Sequence, residues 1–122
     1  MIDKTISAGR VGYTRYEFNR IFCIYSRHVY TGLFRDFSFT DMNGKYYISF
    51  RESADTIPLV TIEKRHLGLD RHLFVATTPG PRGMLSTIAR SEKFDAFITQ
   101  LSNAVDHFAL TRVTQNTTHR NG

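Results

Sequence analysis

The stretch that decides the fold is KYYISFRESADTIPLVTIEKR, Lys45 to Arg65. It contains two alternating runs. Tyr46, Ile48 and Phe50, then Val60 and Ile62, form an apolar set; Tyr47, Ser49, Arg51, then Thr61, Glu63 and Arg65, form a polar one. Successive side chains of a strand point to opposite faces, so this period of two makes each run a half-buried strand with one face for a core and one left open. Upstream, Phe37 and Phe39 alternate with Asp36, Ser38 and Thr40. Asn43-Gly44 then accepts the positive φ angles of a tight hairpin turn, which makes this strand the antiparallel neighbour of the next. Pro58 falls near the start of the strand Ile57 to Arg65, where a missing amide is least harmful. Downstream, a loop from His66 to Arg71 precedes a short strand, Leu73 to Thr77, and Pro79 to Gly83 reads as a rigid turn. Met84 to Ala89 supplies a fifth strand or a continuation of the sheet.

A helix is expected on each side of these strands. Thr14-Arg15-Tyr16-Glu17 matches a capping box, in which the Thr hydroxyl and the Glu carboxylate satisfy each other's amides. Phe18, Ile21, Phe22, Tyr25 and Val29 follow at helical spacing as one apolar stripe until Gly32 supplies a stop. Ser91 is the cap of a second helix, with Glu92 and Asp95 in its first turn and Phe94, Phe97, Ile98, Leu101, Val105 and Phe108 on its apolar face. The resulting fold class is α+β: an N-terminal helix, a four- or five-stranded antiparallel sheet and a C-terminal amphipathic helix, with both stripes buried on one sheet face. Residues 1–12 read as a flexible lead-in, 13–110 as a single domain and 111–122 as a disordered tail.

The composition narrows the class of function. A chain of 122 residues, 41% hydrophobic and 22% charged, is long enough for one core. A mean hydropathy of -0.29 excludes a membrane protein of the helical kind. Sixteen Lys+Arg against eleven Asp+Glu give a formal net charge of +5, which favours polyanionic partners. The single cysteine, Cys23, allows no internal disulfide, and no signal-peptide core opens the chain, so a cytoplasmic protein is expected.

Catalytic and metal chemistry finds little support in the residues. The five histidines are dispersed, only His66 and His72 being local, and no metal or cofactor is expected. Cys23, in mid-helix without a base clearly on its face, reads as a small packed residue. Gly80-Pro81-Arg82-Gly83 lacks the Lys-Ser/Thr pair of a phosphate loop but presents Arg82 at its tip. The open sheet face is the functional candidate: Tyr47 offers a stacking platform, and Arg51, Arg65 and, near the rim, Lys45 and Lys64 offer cations for phosphates. The nucleic-acid-binding candidates are therefore Tyr47, Arg51, Lys64, Arg65 and Arg82. The alternative for the same face is an internal pairing of Glu63 with Arg51 or Arg65 that only stiffens the sheet. The expected function is non-enzymatic binding of single-stranded or structured nucleic acid by a homodimer, the alternative being a protein–protein interaction or regulatory module.

Two resemblances bear on this reading. RYEFNRIFCIYSRHVYTGLFRDF together with ISFRESADTIPLVTIEKR resembles a family of small alphaproteobacterial proteins catalogued only as a domain of unknown function. The matching positions are Arg15, Glu17, Gly32, Arg35 and Asp36, then Phe50, Arg51, Ala54, Pro58, Leu59 and Ile62 to Arg65, with Phe18 and Phe34 standing where that family has Leu and Trp. The likeness covers residues 14–66 and implies a bacterial cytoplasmic origin. In layout, four strands followed by an amphipathic helix, the chain is also similar to the single-stranded nucleic-acid-binding repeats of the Pur family, which implies contact with DNA or RNA.

Overall fold

In the computed structural model of the chain, residues 12–42 and 45–121 are described, with side chains through residue 111. The expected lead-in, apart from Gly12, and the turn residues Asn43 and Gly44 lie outside them. The elements follow in the order α1 (Arg15–Arg27), β1 (Asp36–Met42), β2 (Lys45–Arg51), β3 (Val60–Gly68), β4 (Arg71–Pro79), a 3-10 turn (Pro81–Gly83), β5 (Leu85–Ser91) and α2 (Phe94–Asn121). The strands form one five-stranded antiparallel meander in the order β1-β2-β3-β4-β5. The expected α+β layout is present, with five strands rather than four.

Local chemistry explains the helix starts. At the head of α1 the Glu17 amide donates to Thr14 Oγ1 at 3.1 Å and the Thr14 amide donates to Glu17 Oε1 at 2.9 Å, completing the capping box. Before α2, the Lys93 amide donates to Ser91 Oγ at 3.0 Å. Both helices then lie on the same sheet face, beside each other. Phe18, Phe22 and Tyr25 of α1 meet Phe37 of β1, and Tyr25 also meets Phe50 of β2. Phe94 and Phe97 of α2 meet Phe74 of β4. Ile21, Phe34, Ile48, Phe50, Val60, Ile62, Phe97, Leu101 and Val105 are fully buried between the layers. Burying each such side chain contributes roughly 1.5–3 kcal/mol. No described helix is long and apolar enough to cross a membrane.

Tyr13 fastens the start of the domain. It is 1% exposed, and its hydroxyl donates towards Tyr46 O at 3.0 Å and Ile62 O at 3.4 Å, spanning β2 and β3. Burial, with the carboxylate of Glu17 next in importance, raises its pKa far above that of a free tyrosine. Gly12 before it has φ +77°, and a Cβ there would overlap the Tyr46 ring, so only glycine fits.

Four local expectations change. The segment His66 to Arg71 is not a loop: β3 runs to Gly68 and β4 starts at Arg71, leaving Leu69-Asp70 as the turn. Asp70 takes φ +56°, a conformation Asp tolerates better than most residues, and the ladder shifts register between His66 and Gly68. Phe22 and Val29, placed on the buried stripe of α1, are 41% and 43% exposed. For Phe22 the reason is that β1, which it meets, is the edge of the sheet. Cys23 is exposed rather than packed. The expected tail from Thr111 is instead helix to Asn121. Extending an established helix costs no new nucleus, and neither Gly nor Pro occurs between Phe94 and Asn121.

Candidate nucleic-acid interface

The second face of the sheet carries neither helix, and its chemistry is ordered by register. Ser38, Ser49, Thr61, Thr77 and Thr87 stand opposite one another in sequence across all five strands. They make a single row of hydroxyls. The adjacent row reads Thr40, Tyr47, Glu63, Val75 and Arg90. Beyond it Met42 pairs with Lys45 and Arg65 with Leu73. Tyr47 is thus half-buried beside Glu63, with Lys45 and Arg65 towards one end of the face and Arg90 on the outer strand. Lys45 and Arg90 are exposed and engaged in no side-chain ion pair among the described residues.

The sequence candidates separate into three groups. Tyr47 and Arg65 stand on this face; Arg65 is half-exposed and its Nε lies 3.0 Å from Glu63 Oε2. Arg51 shares the face but is committed, its guanidinium donating to Ser38 Oγ at 2.9 Å, Asp36 Oδ2 at 3.3 Å and Thr56 O at 3.1 Å. Its acidic partner is Asp36 on the neighbouring strand, not Glu63. Lys64 is a correction. It faces the helices with its side chain 8% exposed, and Nζ lies 2.8 Å from Glu17 Oε1, so it does not reach the rim to meet phosphate. Period-two alternation already puts it inward with Val60 and Ile62; the length of a lysine does not carry the ammonium back to water when a carboxylate waits inside. Arg82 is exposed at φ +62° in the turn between β4 and β5, away from the Tyr47 row.

Arg90 and the hydroxyl row escaped the sequence reading. β5 continues two residues past Ala89, so alternation carries Arg90 outward; the signal was present in the strand's last residues. The hydroxyl row depends on the pairing of all five strands, including a shift between Ala76 and Thr77, and no local pattern reports it.

Two further clusters lie off this face. His28, capping the C-terminus of α1, is 6% exposed, and its Nε2 lies 2.8 Å from Asp106 Oδ1 on α2. Arg27 donates to the same oxygen at 2.9 Å and to Ser102 at 2.7 Å. Burial raises the Asp106 pKa, but the hydrogen bond from His28 and the charge of Arg27 outweigh it and hold the carboxyl below its ordinary range. His66 and His72 are cross-strand partners with ring centroids 5.1 Å apart. Burial, then Lys64, then His66, lower the His72 pKa. Among the described residues no three His, Cys, Asp or Glu side chains gather as a metal site.

No protein-family model, curated protein or solved structure matches this chain. Its functional reading therefore rests on the geometry of the face without a helix, on which Leu73 and Val75 are buried beside Arg65 and Glu63.

Proposed function

We propose that the protein is a non-enzymatic cytoplasmic binding module whose open sheet face holds single-stranded DNA or RNA. The observation that carries the reading is the register of Tyr47: it shares a row with Arg90, has Lys45 and Arg65 on one side, and has the hydroxyl row on the other. Lys45 and Arg90, in no ion pair among the described residues, meet phosphates directly, and Arg65 turns from Glu63 to a phosphate when one is present. Tyr47 stacks on a base, an interaction of about 1–3 kcal/mol. The five hydroxyls donate to phosphate and sugar oxygens, which positions a strand without reading its sequence. Glu63, directly beside Tyr47, keeps the affinity modest.

Fluorescence anisotropy with labelled single-stranded oligonucleotides at low salt tests this. Binding is expected for the native chain and weakening by Tyr47→Ala; an oligonucleotide that stays free at every protein concentration overturns the reading.

A protein-interaction module is the second reading, favoured by the opposite end of the sheet. There Ile57, Met84 and Leu85 are exposed beside a shallow pocket of about 240 Å³ lined by Glu52, Thr56, Ile57, Pro58, Leu59 and Pro79. A partner retained from a bacterial lysate after nuclease treatment, and lost with Ile57→Asp, supports that reading.

A further inference from the structure

The sheet has two edges, and they are treated differently. At β5 the amide of Arg90 donates to Gln100 Oε1 of α2 at 2.8 Å, so the molecule satisfies part of this edge itself. Edge β1 pairs only with β2 among the described residues and carries exposed apolar side chains on both faces: Phe39, 51% exposed, on the helix side and Met42, 56% exposed, on the other. A long apolar edge is a template for another strand.

We propose that β1 is a self-association edge, pairing antiparallel with β1 of a second copy about a two-fold axis at Ser38. The occupant follows from charge. Arg35, just before β1, and Asp41, near its end, are both exposed and neither is in an ion pair among the described residues. Pairing about Ser38 sets Arg35 of each copy against Asp41 of the other, so these four charges, two from each copy, become two cross-strand pairs. The same register sets Phe37 against Phe39 of the second copy, twice. Those phenylalanines lie on the helix side, where Phe18 and Phe22 already pack on them, so one aromatic cluster becomes continuous across the axis. On the other side Asp36 meets Thr40, and no like charges face each other. Pairing about Phe39 instead sets Asp41 against Phe37 and leaves Arg35 without a partner. An isologous strand pair of this kind closes on itself as a dimer, and it joins the two open faces into one surface.

The test is light scattering on the full chain after nuclease treatment and without nucleic acid, so it is independent of the open-face reading. A dimer is expected. Phe39→Asp is expected to give monomer with unchanged circular dichroism. Asp41→Arg is expected to weaken the dimer about ten-fold, and Arg35→Asp with Asp41→Arg to restore it, as cross-interface charge pairs require. With Cys23 replaced by Ser, Ser38→Cys is expected to form a disulfide-linked dimer under mild oxidation. A native chain that stays monomeric at all concentrations, or a dimer indifferent to Phe39→Asp and to the charge swap, overturns the proposal.

Discussion

Lys64 Nζ lies 2.8 Å from Oε1 of Glu17, a residue 47 positions earlier in the chain, and the same carboxylate oxygen accepts the Thr14 amide. One side chain therefore closes the capping box of α1 and neutralises a lysine of β3, seating the helix on the sheet. The ammonium also lies over the rings of Tyr13 and Phe74, at 5.7 and 5.6 Å from their centroids. With side chains 8% and 13% exposed, neither ion is left to solvent. A buried pair of this kind fixes how elements dock, and losing one member is far more damaging than losing both.

Lys64→Ala is accordingly expected to destabilise the fold by about 3–5 kcal/mol, the cost of stranding a buried carboxylate. Urea unfolding measures it. Lys64→Met with Glu17→Gln is expected to recover a large part of that loss while keeping the side-chain hydrogen bond to the Thr14 amide.

Gly12→Ala is expected to lower stability by at least about 1 kcal/mol, because Ala is strained at positive φ and its methyl displaces the Tyr46 ring. A fall in Tm with an intact far-ultraviolet spectrum is the readout.

Asp106→Ala strands His28, whose Nδ1 has no partner among the described residues, and frees Arg27 from α2. The expected cost is about 1–3 kcal/mol, the range for a hydrogen bond to a charged group. Because both helices lose their polar clasp, proteolysis near residues 27–31 is expected to quicken as well.

Stability should also depend on pH through His72. Its pKa is lower in the fold than in the unfolded chain, so the unfolded state binds more protons as pH falls below about 6.5. The contribution is fully present above that value and is lost as pH drops through the folded pKa. Denaturant midpoints from neutral to mildly acid pH are expected to fall for the native chain and to fall less for His72→Gln.

Much of the fold was legible because it is written locally. Alternation from Phe37 to Ile62 fixed three strands and their inward residues, and the Thr14–Glu17 box fixed the start of α1. What was not legible depends on partners distant in sequence. Lys64 was expected at the rim because nothing near it announces Glu17, and Arg51 was offered to a ligand because Asp36 becomes its neighbour only through the β1–β2 register. The exposure of Phe22 follows from β1 being an edge, a fact about strand order. The hydroxyl row beside Tyr47 is the clearest case, since its five residues become neighbours only when the whole meander is paired.

The central claim is that Lys45, Arg65 and Arg90 hold phosphates around Tyr47, and the salt dependence of oligonucleotide binding tests it most directly. For the native chain the logarithm of the affinity is expected to fall linearly with the logarithm of salt concentration, and replacing the three cations by Ala should reduce that slope by about 2. Binding whose salt slope is unchanged in the triple variant, or no binding at low salt, contradicts the account.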